Sequence, residues 1–184
     1  PSWSPDGKFL SLVLSKDGSP DIYTLNTATK RLKRLTKHRA IDTEPVWTQD
    51  GKSIIFTSDR SGSPQLYQVN VAGGKPKRLT FEGRYNTAAA LSPDGKFIAM
   101  VHGERGQYKI AQLERETGNL IVLTDSALDE SPSFSPNGKM VLYASTRGNN
   151  GFLFAVSIDG RAKHKLSDQA GDIREPVWGP FESK

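Results

Sequence analysis

Three features of the 184-residue sequence predict an all-β chain, a β-propeller read as consecutive four-stranded blades. The first is a recurring phrase: PSWSPDGK at Pro1, PVWTQDGK at Pro45, AALSPDGK at Ala89, PSFSPNGK at Pro132 and a broken PVWGPFES at Pro176. The second is its period. The anchors Trp3, Trp47, Leu91, Phe134 and Trp178 stand 43 or 44 residues apart, which is the repeat length of propeller blades. The third is the pattern between anchors, where short β-branched and aromatic runs are bounded by Gly, Pro, Ser and Asp, with no sustained 3.6-residue amphipathicity.

Each repeat divides into four strands, A to D. In the second, EPVWT is strand A, SIIFTS (Ser53–Ser58) strand B, QLYQVN (Gln65–Asn70) strand C and PKRLT strand D. Strand B recurs as FLSLVLS, FIAMVH and MVLYAS, strand C as DIYTLN, YKIAQL and FLFAVS, and strand D as RLKRLT, NLIVLT and KHKLS. The SPDG element joins A to B. Pro presets φ at the second turn position, Asp tolerates the third, and Gly accepts a positive φ at the fourth. The expected result is a type I turn with a glycine bulge. SPNG keeps this chemistry, and TQDG keeps the Asp-Gly half.

The blades are expected at about residues 1–44, 45–88, 89–131 and 132–175, with 176–184 as a closing inner strand and tail. A fifth strand A has no blade to join in a closed ring of four. The broken phrase therefore predicts that the chain is the C-terminal part of a larger propeller.

Composition narrows the function classes. The chain has 17 glycines, 11 prolines and no cysteine, so disulfides and thiolate metal sites are excluded. No apolar run approaches the ~20 residues of a membrane-spanning helix. The net charge is +5. Its positive residues are spread over outer-strand positions in three of four repeats (Lys33, Arg34; Lys77, Arg78; Lys163, Lys165) without the aromatic platform that single-stranded nucleic acid needs. An ordinary basic surface is the expected reading. The histidines, His38, His102 and His164, occupy non-equivalent places in their repeats. No HExxH, GxSxG or P-loop motif occurs, so catalysis is not expected.

The D–A connections carry the opposite charge. KHRAIDTE (37–44), FEGRYNTA (81–88), DSALDES (125–131) and DQAGDIRE (168–175) hold nine acidic and four basic residues. Acidic pairs precede the inner strand at Asp42/Glu44, Asp129/Glu130 and Asp172/Glu175, and the second repeat's connection instead has Arg84, Tyr85, Asn86 and Thr87. Two readings follow. One is a negatively charged mouth for a partner's polar or cationic segment, or for a hard cation such as calcium near Glu44, Glu130 and Glu175. The other is that each carboxylate accepts backbone N–H groups at a chain reversal. For the group as a whole, a binding surface of Asp42, Thr43, Glu44, Arg84, Tyr85, Asn86, Thr87, Asp129, Glu130, Arg174 and Glu175 is expected.

The stretch TEPVWTQDGKSIIFTSDRSGSPQLYQVNVAGGKPKRLTFEG (Thr43–Gly83), with LTDSALDESPSFSPNGKMVLYAS (Leu123–Ser145) and the final REPVWGP, resembles the propeller repeat of the TolB family of the Tol–Pal cell-envelope system. The resemblance covers essentially the whole chain. It implies a six-bladed propeller behind an N-terminal α/β domain, of which this chain would supply blades three to six. It also implies a non-catalytic periplasmic scaffold with no cofactor that binds the lipoprotein Pal, with colicin segments competing for that surface. Thr43 falls where the family meets Pal, beside Glu44. Contact with TolA would belong to the region outside this chain. The rival class is the gating propeller of a prolyl-oligopeptidase-like serine peptidase, and a third is a polysaccharide lyase with histidine metal ligands in its channel.

Overall fold

The structure, a computed structural model, describes residues 1–167, 171 and 173–179. The described residues contain sixteen strands and no helix. They form four four-stranded antiparallel sheets whose strand order follows the chain. The first sheet is β1 (Ser2–Trp3), β2 (Phe9–Leu14), β3 (Asp21–Asn26) and β4 (Leu32–Arg34). The second is β5 (Asp42–Trp47), β6 (Ser53–Ser58), β7 (Gln65–Asn70) and β8 (Lys77–Arg78). The third is β9 (Tyr85–Leu91), β10 (Phe97–Glu104), β11 (Gln107–Glu114) and β12 (Leu120–Val122). The fourth is β13 (Asp129–Phe134), β14 (Met140–Arg147), β15 (Asn150–Ser157) and β16 (Lys163–Lys165).

The chain divides into two compact units, Pro1–Ala89 and Ala90–Lys184. In the first, Ile22, Leu35, Trp47, Ile54, Phe56, Tyr67 and Val69 form one buried cluster, against which Phe9, Val13 and Val71 pack. In the second, Ile98, Met100, Ile110, Val141, Tyr143 and Val156 are buried, and the Tyr143 and Phe154 rings stack at 5.7 Å. Alternation along the strands puts these residues on the faces that meet other sheets.

The A–B turns repeat one hydrogen-bond design. In the first, Gly7 donates its N–H to Ser4 O at 2.9 Å, and the Ser4 hydroxyl donates to Asp6 Oδ1 at 2.6 Å. Asp6 Oδ1 also accepts Lys8 N–H, and Ser4 Oγ accepts Phe9 N–H. Thr48/Asp50, Ser92/Asp94 and Ser135/Asn137 do the same, and Gly7, Gly51, Gly95 and Gly138 hold φ of 65–70°. Ser157 and Asp159 reproduce the device in a C–D turn. The Asp6 and Asp94 carboxyls are held below the ordinary 3.8, first by the serine hydroxyl and then by the backbone N–H. A lowered folded value means stability that is present above 3.8 and lost as pH falls through that folded value. Asn137 fills the same place without charge. Asp94→Asn is therefore expected to keep the fold and flatten the acid limb of stability, checked by thermal melts between pH 2 and 6. An unchanged acid limb would remove Asp94 from the acid dependence.

The inner strands carry a feature invisible in composition. Glu44, Ala88, Ser131 and Glu175, each just before the anchor phrase, have φ of 53°, 53°, 54° and 49°. Such left-handed conformations cost non-glycine residues roughly 1–3 kcal/mol. Register shifts between Thr43 and Val46 and between Glu130 and Ser133 mark the resulting bulges.

The anchors are not equivalently buried: Trp47 and Phe134 are buried and Leu91 is half-buried, but Trp3 is 61% exposed. Trp47 packs on the sheet before it, its ring 6.2 Å from Phe9 and its Nε1–H donated to Ser2 O at 3.1 Å. Trp3 belongs to the first sheet of this chain and has no earlier one to meet. Residues 176–179 pair with no sheet. Trp178 instead donates its backbone N–H to Ser133 Oγ at 3.3 Å, beside β13. Without a strand B to pair with, the inner strand lacks its ladder. Residues 180–184 lie outside the described residues.

Candidate partner-binding face

Eight of the eleven candidate residues lie in strands rather than loops, and Arg84, Arg174 and Glu175 lie outside them. Asp42, Thr43 and Glu44 are in β5, Tyr85, Asn86 and Thr87 in β9, and Asp129 and Glu130 in β13. The inner strands β5, β9 and β13 begin ahead of their anchor phrases, and in β5 and β13 polar residues there pair with strand B beyond the bulge: Asp42 opposite Ser58, Asp129 opposite Ser145.

In the first unit, Asp42 is fully buried and not an exposed acid. Arg60 Nη2 donates to both its oxygens, at 2.8 and 2.7 Å, and Arg60 Nε donates to Ser58 Oγ. The guanidinium also lies over the Phe56 and Tyr67 rings, 5.3 and 4.9 Å from their centres. Thr43 is half-buried. Glu44 is exposed, yet its Oε2 accepts Thr57 Oγ1–H at 2.7 Å and Ala88 N–H at 2.8 Å. That contact bears out the second reading at this residue, since the carboxylate caps the left-handed backbone of the next inner strand. Asn86 is buried, its amide donating to Gln65 Oε1 at 2.9 Å and Glu82 O at 2.8 Å. Thr87 is buried, Tyr85 half-buried and Arg84 exposed.

In the second unit, Asp129 is likewise fully buried, where it accepts the Thr124 and Ser126 hydroxyls. The expectation of an exposed Asp129 carboxylate therefore fails. Burial raises the nearby Tyr143 hydroxyl pKa, and Asp129 and Asp125 push it further up. Glu130 is half-buried and Arg174 exposed, and both line a cleft of about 470 Å³ with Leu128, Thr146, Asn149 and Ile173. Glu175 is exposed, and Asp172 lies outside the described residues.

Burying Asp42 and Asp129 changes the chemistry of these connections. Ile41 and Leu128, each one residue before a buried aspartate, are 52% and 43% exposed, and Phe81 is 73% exposed over the Arg78 guanidinium. The exposed chemistry is thus apolar beside acidic. The sequence reading missed Ile41, Phe81, Leu128 and Arg60. An apolar residue directly before Asp42 and Asp129, set against strand alternation, was the available signal for the first and third. Among the described residues no group of three or more His, Cys, Asp or Glu is placed to hold a metal ion. His38 is exposed and accepts Ala40 N–H at Nδ1, His102 is buried in β10, and His164 is exposed in β16.

The profile of the TolB beta propeller domain matches residues 1–182. The chain belongs to the TolB beta propeller domain family. It is 58% identical over 181 residues to the Tol-Pal system protein TolB of Ruthia magnifica subsp. Calyptogena magnifica, covering 98% of this chain and 43% of that protein. Tol-Pal system protein TolB of Nitrosococcus oceani is 55% identical over 80 residues, 44% of this chain and 18% of that protein. The crystal structure of TolB from Acinetobacter baumannii superposes with a TM-score of 0.89 at 50% identity, covering 97% of this chain and 45% of that one. The chain thus spans less than half the length of the TolB proteins it matches.

Proposed function

We propose that this chain is the propeller portion of a non-catalytic scaffold of the Tol–Pal envelope system, acting in the periplasm. It binds Pal through the first unit's inner-strand starts around Thr43, Glu44, Arg84 and Tyr85; in the second unit the candidate contacts are Glu130, Arg174 and Glu175. Colicin segments compete for that surface, TolA is met by the region outside this chain, and the assembly supports outer-membrane integrity and cell division. The observation that carries the reading is the 58% identity, across nearly the whole chain, to a protein named for the Tol–Pal system.

The geometry supports it physically. Thr43 sits between Asp42, locked by Arg60, and Glu44, held in a left-handed bulge and tied to Ala88. A position braced on both sides spends little ordering entropy when a partner arrives. The reading assigns Asp42, Asn86 and Asp129 to holding the strands, not to touching the partner. Thr43→Trp in the full-length protein is expected to weaken Pal about tenfold or more, roughly 1.4 kcal/mol, with stability changed by under about 1 kcal/mol. Calorimetry with and without calcium reads the affinity. Unchanged Pal affinity would overturn this face, and calcium-independent binding would remove the cation from the reading.

A further inference from the structure

The four outer strands are the sheet edges, and three of them carry the same protection. Arg34, Arg78 and Lys165 stand opposite Tyr23, Tyr67 and Phe154 of their strand C partners, and Lys33 and Lys77 stand one residue before. Charged residues on an edge strand discourage another chain from pairing with it. In β12 the corresponding positions are Val122, opposite Ala111, and Ile121, opposite Gln112. Both are open to solvent, at 45% and 43% exposed. Leu123 donates its N–H to Ile110 O, and Glu114 donates to Asn119 O. The odd-numbered residues therefore bond inward, and the antiparallel alternation turns the N–H and C=O of Leu120 and Val122 outward.

A cleft of about 300 Å³ opens beside this edge, lined by His102, Glu104, Arg105, Gln107, Lys109 and Val122. Its registered pairs, His102 with Lys109 and Glu104 with Gln107, lie on the Val122 face of the sheet. Arg105 and Lys109 give it more positive than negative charge, within a chain of net charge +5.

We propose that β12 is a strand-addition site, where an extended segment of a partner protein pairs with Leu120–Val122. Its apolar residues would lie on the Ile121 face, and its acidic side chains, alternating with them, on the Val122 face, where one would enter the cleft beside Lys109 and Arg105. Main-chain bonds supply affinity in this mode, and alternate side-chain pockets supply selectivity. A second copy of the chain fits less well. It would bring another net +5 and another three-residue edge, too small to approach the roughly 1,200–2,000 Å² of a stable interface.

The test uses the full-length protein and a fluorescein-labelled octapeptide of alternating Val and Glu, read by anisotropy. The double variant Ile121→Lys, Val122→Arg installs what the other edges carry at the same register and adds positive charge. Non-specific attraction of the acidic peptide would therefore increase in it. Saturable binding to the wild type is expected, weakened about tenfold or more in the variant, where added edge charge opposes pairing. The same loss is expected for a Val–Lys peptide and for a fully N-methylated Val–Glu peptide. Amide exchange at Leu120 and Val122 should slow when the Val–Glu peptide binds. Should the charged variant fail to fold, Ile121→Thr, Val122→Thr keeps β-branching and serves the same comparison. Absence of saturable binding, equal binding by variant and wild type, or equal binding of the Val–Lys peptide would overturn the proposal. So would a wild-type dimer in sedimentation that the double variant dissolves, since it would give the edge to a second copy.

Discussion

Trp47→Ala is expected to cost this chain about 3–5 kcal/mol of stability, while Trp3→Ala costs under about 1 kcal/mol. The two tryptophans hold the same place in the repeated phrase, so sequence alone would rank them equal. Trp47 is 6% exposed, closes the Ile22–Phe56–Tyr67 cluster and donates its indole N–H to Ser2 O. Its removal leaves a large cavity between the first two sheets and takes one of two side-chain donors from the Ser2 carbonyl, which keeps the Ser11 hydroxyl. Trp3, at 61% exposed, loses little by truncation. Urea unfolding of both variants of the 184-residue chain reads the contrast. Equal losses would mean that Trp3 is packed in solution and that the first sheet has a partner absent from this structure.

Arg60→Met is the second large effect, an expected loss of about 3 kcal/mol or more, because it strands a fully buried charge. Asp42 is 0% exposed and the Arg60 side chain 14%, so water cannot easily replace the guanidinium. The methionine keeps apolar contact with the Phe56 and Tyr67 rings, which isolates the charge from the packing. Adding Asp42→Asn should return part of the loss, since no buried charge then remains. A coupling of that sign in a double-mutant cycle supports the pair as the lock on β5. Independent, additive losses would show that Arg60 acts through its aromatic stacking instead.

The candidate face was half legible. Thr43, Glu44, Arg84, Glu130, Arg174 and Glu175 are at least partly open to solvent, but Asp42, Asn86, Thr87 and Asp129 are buried in the strand starts. A run of Asp, Thr and Glu before a proline reads as loop by composition. Whether its first carboxylate meets water or a guanidinium depends on Arg60, 18 residues further on. The outer edges show the converse, for the basic residues of three strands D and the apolar LIV of the third repeat stand plainly in the sequence. The segments align Val122 with Arg34, Arg78 and Lys165, and the ladder adds that all four stand at the same register against strand C.

The sequence by itself determined the repeat, its four strands and the turns that join A to B. Those depend on local chemistry: alternation along a strand, Asp or Asn holding a turn, and glycine accepting φ near 68° at Gly7 and Gly138. Only the tertiary structure decided which anchors are buried, which acids are interior, and where the inner strands bulge. The left-handed Glu44 and Ala88 show why. Their conformation is unfavourable for the isolated residues and is held by contacts the local sequence does not contain, the Glu44 carboxylate reaching Thr57 and then the N–H of Ala88, 44 residues away.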